Sequence, residues 1–198
     1  MKIYIIRHGE TDLNKQRLLQ GRYNSQLNEQ GRQQARDCAA WLKAHGISFD
    51  RVYASPLDRA METAQLVTGA AREDIVPDER IVEIAFGPYE MQSYETIDNT
   101  MMAYFRDPVH TPAPAGMETI EELVARVNSF MEDLKAVADD PALDSIAIVT
   151  HGVSIRTIMA YLKGQSFEEG WNLMVGNCDV FCTECSDGVY RNTMKIRP

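Results

Sequence analysis

The chain has 198 residues, 44% of them hydrophobic and 25% charged, a length and balance that support one domain around one sizeable core. Its 20 Lys and Arg stand against 29 Asp and Glu, a formal net charge of -9, which excludes the broad basic face that nucleic acid or an anionic membrane surface requires. Any anion site must therefore be local.

The first apolar stretch, "KIYII" at 2–6, reads as a short β-rich strand that ends in Arg7-His8-Gly9. Ile3 to Ile6 falls well short of the roughly 7–15 residue core of a signal peptide, and no apolar run approaches a membrane span, so the expected location is the cytoplasm. After an irregular stretch, residues 29–45 carry Ala35, Cys38, Ala39 and Leu42 at helical spacing, with Asn28 as the cap and Gly46 as the stop. "RVYA" at 51–54 is a second strand. Ser55-Pro56 then supplies a capping residue and a proline at the first position of the helix "PLDRAMETAQLVT".

Residues 86–117 are richer in Pro, Met and Tyr and read as a lid-like insertion over the sheet's edge, within a single domain spanning 1–198. Next comes an amphipathic helix over 118–138, with Ile120, Leu123, Val124, Val127, Phe130, Met131 and Leu134 along one side. "SIAIVT" at 145–150 is a continuous apolar strand, followed by Gly152 and the helical "VSIRTIMAYLKG". "CDVFCTE" and "VYRNTMKI" flank "SDG" and form a hairpin, the antiparallel edge of the sheet. Cys182 and Cys185, three apart on a strand, face opposite sides, so these two, with Cys38 and Cys178, are expected to be free thiols rather than a zinc or redox site. Strands alternating with helices define an α/β fold, with a mostly parallel sheet and helices on both faces.

In open parallel sheets ligands bind beyond the carboxyl ends of the strands. Three such ends here carry Arg7-His8-Gly9, Ser55-Pro56-Leu57-Asp58-Arg59 and Thr150-His151-Gly152. Each alone is an ordinary polar strand terminus. Together they place two histidines and two arginines around one point, an anion pocket suited to phosphate.

"RHGETDLN" (7–14), "QGRYNSQLNEQG" (20–31), "SPLDRAMETA" (55–64), "EIAFGPYE" (83–90) and "THG" (150–152) resemble, in order and over nearly the whole chain, the signatures of the histidine phosphatase superfamily, the phosphoglycerate mutase-like group. The resemblance implies a three-layer α/β/α sandwich and a metal-independent phosphomonoester hydrolase, without cofactor, acting on a small phosphate monoester. It implies that His8 is the nucleophile, forming a phosphohistidine that water later hydrolyses. Arg7, Arg59 and His151 hold the nonbridging oxygens, and Glu83 is the acid that protonates the leaving alkoxide. A neutral imidazole can do this work if its other nitrogen is held by a hydrogen bond. Apolar neighbours and a nearby phosphate would keep Glu83 protonated. Asn14, Arg22 and Gly152 are further candidate substrate contacts, and Thr11 is expected to order the loop.

The chain departs from the family pattern at Asn24 and Gln26, where Asp and Pro are common, and at Met91, where Gly is common. It also departs at Gly116-Met117-Glu118-Thr119, where the pattern is close to "GGES". These touch the substrate mouth rather than the central residues. The alternatives are a phosphoglycerate mutase-type isomerase and a non-catalytic module that binds a phosphorylated ligand; a homodimer is compatible with either. A mutase must retain a doubly phosphorylated intermediate and exclude water, yet residues 84–117 offer Arg106 and no lysine. The expectation is a phosphatase that prefers monoesters with modest charge outside the phosphate.

Overall fold

The computed structural model describes residues 1–138 and 140–197. The strands β1 (Lys2–Arg7), β2 (Arg51–Ala54), β3 (Ile75–Pro77), β4 (Ser145–Thr150), β5 (Val180–Ser186) and β6 (Val189–Arg197) form one six-stranded sheet in the order β3-β2-β4-β1-β5-β6. β3, β2, β4 and β1 run parallel, while β5 is antiparallel to β1 and β6 antiparallel to β5. The terminal hairpin forms as expected: Asp187 and Gly188 take φ of 53° and 68°, the left-handed pair that closes a tight turn with the twist of its strands. Cys38, Cys178 and Cys182 are free thiols.

Two residue sets alternate along β1 and β4 and build two cores. Ile3, Ile5, Ile146 and Ile148 face a layer formed by α5 (Ile120–Ala138) and α6 (Gly152–Lys163). Tyr4, Ile6, Ala147 and Val149 face α2 (Glu29–Ala44) and α3 (Asp58–Thr68). The result is a three-layer α/β/α sandwich. Buried on both faces, these central strands need apolar residues at consecutive positions, and each fully buried Ile or Phe contributes roughly 1.5–3 kcal/mol. Among the described residues no helix is long and apolar enough to cross a membrane.

Asn28 caps α2 by accepting from the Gly31 N–H at 2.8 Å, and Gly46 follows it with φ of 67°. The start of α3 differs from the expectation. The helix begins at Asp58, after Leu57, which makes no side-chain cap. Ser55 lies outside it, and its hydroxyl oxygen accepts from His151 at 2.7 Å and, more weakly, from Leu57 N–H at 3.4 Å.

Short elements escape the periodicity argument: α1 (Asp12–Lys15), α4 (Asn99–Arg106) and α7 (Phe167–Trp171). Thr11 and Asn14 cap α1 reciprocally, which gives Thr11 the ordering role expected of it.

Residues 86–117 do not lie over a sheet edge. Leu19 and Tyr94 donate backbone N–H groups to Gln92 O and Arg17 O, and Glu90 Oε1 accepts from Arg22 N–H at 2.9 Å and Phe86 N–H at 3.2 Å. Phe105 stacks on Trp171 of α7 at 6.4 Å. The segment therefore spans from the loop after α1 to α7, across the carboxyl ends of the strands.

Met91 explains its own departure from the family pattern. It has φ of 68° and is 42% exposed, so its side chain gains little from burial in a conformation that costs a non-glycine residue about 1–2 kcal/mol. Met91→Gly should raise unfolding stability by about 1 kcal/mol, measured by urea denaturation; an unchanged or lowered midpoint would contradict this.

Candidate active site

β1 and β4 end side by side, so the residues after them emerge as neighbours. His8 N–H donates to Thr150 O at 3.0 Å, and its own carbonyl accepts from Asn177 Nδ2 at 2.9 Å. Its ring Nδ1 lies 2.7 Å from Gly9 O. A carbonyl only accepts, so Nδ1 carries the proton and Nε2 holds a free lone pair. Gly9 N–H is held by the Thr63 hydroxyl at 3.0 Å. A Cβ on Gly9 would overlap the Gly31 carbonyl, so glycine permits the close approach of this loop to α2.

His8 is 3% exposed. Burial, and then the positive charges of Arg59 and Arg7, hold its imidazole well below the ordinary histidine range against the opposing Gly9 hydrogen bond. It is neutral at physiological pH.

Arg59, on the first turn of α3, is fully buried. It donates from Nη1 to Tyr23 O and from Nη2 to Gly21 O, both at 2.7 Å, and from Nε to His151 Nδ1 at 3.2 Å. Burial pushes it down to about 10, still cationic at neutral pH. Arg7 is half-buried and donates to Val175 O at 2.6 Å. Its Nε is buried with no acceptor among the described residues, a donor that an anion in the cavity would satisfy. Burial lowers Arg7, and Glu83 opposes that.

Arg7, His8, Asn14, Arg59, Glu83 and Gly152 line one cavity of about 220 Å³, a size suited to a small ester. Asn14 Oδ1 accepts from Thr11 N–H and its hydroxyl, both at 3.2 Å. Two of the candidate residues lie outside this lining. Arg22 does not line the cavity; its guanidinium pairs with Glu118 at 3.2 Å, a buried carboxylate already engaged by Arg126 at 2.6 Å. His151 also stands behind the cavity wall. Guanidinium groups only donate, so its Nδ1 accepts from Arg59 and its Nε2–H donates to Ser55 Oγ. Neither nitrogen offers a proton to the cavity, and burial and Arg59 hold the ring well below the ordinary range.

Glu83 lines the cavity, and its surroundings are polar. Its carboxylate accepts from Val153 N–H and Ser154 N–H, both at 3.1 Å, in the first turn of α6, and from its neighbour Ile84 N–H at 3.1 Å.

Three polar side chains that line the cavity were not among the candidates: Gln20, Tyr94 and Arg156. Arg156 had a readable signal, since it follows Gly152 by one helical turn and so shares its face. Tyr94 comes from an irregular stretch with no periodicity to place it.

The histidine phosphatase superfamily (branch 1) family model matches residues 3–194. The chain belongs to that superfamily. It is 32% identical over 184 residues to a Hydrogenobacter thermophilus protein named "Putative phosphoserine phosphatase 2", covering 90% of this chain and 87% of that protein. It is 29% identical over 184 residues to "Probable phosphoglycerate mutase GpmB" of Escherichia coli O1:K1 / APEC, covering 91% and 83%. The crystal structure of the alpha-ribazole phosphatase from Shigella flexneri superposes with a TM-score of 0.86 at 26% identity, over 100% of this chain and 96% of that one. Family membership and the phosphatases among these relatives make the chain a phosphomonoesterase of the histidine phosphatase type.

The buried neutral histidines fix a pH dependence of stability. Below about pH 6.5 the unfolded chain takes up protons that His8 and His151 refuse in the fold, so stability falls as pH falls, by up to about 1.4 kcal/mol per pH unit for each. His110, which Asp107 holds above its ordinary value, acts with the opposite sign, and His110→Gln should steepen the fall. Urea midpoints at pH 7 and 5.5 measure it; equal midpoints in the His110→Gln protein would contradict the assignment.

Proposed function

We propose that this phosphomonoesterase works through His8, with one observation carrying the reading: its ring is fixed by Nδ1–H to Gly9 O at 2.7 Å, which presents a neutral Nε2 beside two guanidinium groups. Nε2 attacks phosphorus in line as the ester P–O bond breaks. Arg7 and Arg59 hold the phosphoryl oxygens and neutralise charge through the transfer. Glu83 gives its proton to the departing oxygen and then, as carboxylate, takes one from the water that attacks the phosphohistidine. The P–N bond breaks and neutral His8 is restored.

Glu83 lines the same cavity as His8 and the two arginines, which supports it as the acid. His151, whose Nδ1 accepts from Arg59 Nε at 3.2 Å, acts by positioning Arg59.

The substrate is a small phosphate monoester, with neither nucleic acid nor membrane as partner and a cytoplasmic setting, consistent with the net charge of -9. Residues 86–117 act as a lid that gives Phe86 and Tyr94 to the cavity and no cation. This favours hydrolysis over mutase turnover, because nothing from the lid retains a bisphosphorylated intermediate.

With chelator present, His8→Ala should lose at least about 10³-fold in kcat, as expected when a nucleophile is removed. A binding module would instead show no turnover in the wild type and undiminished phosphate affinity in the variant. Glu83→Gln should slow alkyl phosphates about 10²-fold and p-nitrophenyl phosphate far less, since only a basic alkoxide needs the proton. Equal losses on both would place the acid elsewhere.

A further inference from the structure

We propose that Asp179 is a positioning residue for phosphoryl transfer, with Lys195 as its counter-ion: its carboxylate fixes the Val175–Gly176 peptide unit, whose carbonyl aims the Arg7 guanidinium at the phosphoryl group. The inference rests on the hydrolase reading above and extends it to two residues that do not line the cavity.

A peptide unit is planar, so whatever holds its N–H also sets the direction of its C=O. The unit between Val175 and Gly176 is held on both sides. Its N–H donates to Asp179 Oδ2, and its carbonyl accepts from Arg7 Nη1 at 2.6 Å. The bond at the N–H end polarises the carbonyl and strengthens its hold on Arg7. With Nη1 committed in this way the planar guanidinium keeps one orientation, and its Nε, buried without an acceptor among the described residues, remains for a phosphoryl oxygen. Glycine at 176 leaves this unit easy to turn, so its direction needs a lock. The same glycine admits the lock closely, since a Cβ there would meet Asp179 Oδ1 at 3.1 Å.

Asp179 is buried, and a buried carboxylate is costly unless it is both paired and hydrogen-bonded. Lys195 of β6 supplies the pairing at 2.7 Å, and its ammonium sits 5.9 Å from the centre of the Phe181 ring. Other bonds hold the same loop against the end of β1. Arg7 N–H donates to Asp179 O at 3.2 Å, Cys178 N–H to Arg7 O at 3.1 Å, and Asp179 N–H to Gly176 O at 3.2 Å, while Asn177 Nδ2 donates to His8 O at 2.9 Å. These come from the backbone or from Asn177, so they place the loop whatever side chain stands at 179. What the Asp179 carboxylate adds is the direction of the Val175–Gly176 unit, and through it the aim of Arg7.

A double-mutant cycle read on p-nitrophenyl phosphate tests this, because a residue that acts through Arg7 has nothing left to do once Arg7 is gone. Asp179→Leu, similar in shape but with no acceptor for the Gly176 N–H, should lose about tenfold or more in kcat/KM. Its inhibition constant for inorganic phosphate should rise by a similar factor. In an Arg7→Met background the same change should alter neither quantity by more than about twofold. Asp179→Asn, which keeps an oxygen for the Gly176 N–H, should recover most of the loss. Equal losses in the two backgrounds would overturn the proposal, since Asp179 would then serve only the fold or His8; so would a loss in Asp179→Asn as large as in Asp179→Leu. If Asp179→Leu does not fold, Lys195→Met goes through the same cycle. It should lose about threefold or more with Arg7 present and nothing without it, and equal losses would again overturn the proposal. If the wild type hydrolyses p-nitrophenyl phosphate with His8 dependence and the cycle shows no coupling, the Asp179 assignment fails alone. If it hydrolyses no ester, or His8→Ala retains turnover, the hydrolase reading fails and the proposal fails with it.

Discussion

The parallel ladder of β1 and β4 pairs Arg7 with Thr150 and continues one residue beyond, where His8 N–H meets Thr150 O at 3.0 Å. That extra rung fixes the site. It brings His8 and His151 out together, ring centres 5.1 Å apart, and sets the exit of α6, whose first turn holds Glu83. β2 joins the same ladder through Ala54 and Val149, and Ser55 N–H meets Val149 O at 3.0 Å, delivering Ser55 to His151 and leading into Arg59. A one-residue slip in β1 would turn every one of its side chains to the opposite face, and the two cores forbid it.

Burial does two different things to the cationic groups gathered there, and magnitude decides which. A histidine starts near neutrality, so desolvation removes its charge and leaves a nucleophilic lone pair. An arginine starts so high that Arg59, pushed down to about 10, keeps its charge at neutral pH. One environment therefore supplies both a neutral imidazole and permanent cations, inside a protein of net charge -9. The guanidinium of Arg59 is oriented beforehand by carbonyls of Gly21 and Tyr23, so little reorganisation accompanies phosphoryl transfer.

The strand ends were legible because apolar runs in a parallel sheet end abruptly, and polar residues just beyond them have no packing reason to be there. This exposed Arg7, His8, Arg59 and His151. Glu83 was legible only through motif order, since nothing in "IVEIAFG" reveals that α6 offers it backbone donors. The pairing of Arg22 with Glu118 left no trace in the sequence, because the two are distant along the chain. Ser55 looked like a helix cap, the usual fate of a serine before proline, yet a tertiary partner, His151, took its hydroxyl. The path of 86–117 across the strand ends depends on long-range bonds to residues 17–22 and on stacking against Trp171, which leave no periodic trace. Met91 is the reverse case: the departure was visible, and its positive φ supplies the reason that glycine is common there.

The proposed phosphoryl transfer depends most on the neutral His8 tautomer with its proton on Nδ1. Nitrogen-15 NMR of the ligand-free protein reads this directly. At pH 7, and still at pH 6, His8 should show a protonated Nδ1 and an unprotonated Nε2. A His8 imidazolium at pH 7, or a proton on Nε2 with Nδ1 bare, would contradict the proposed nucleophile.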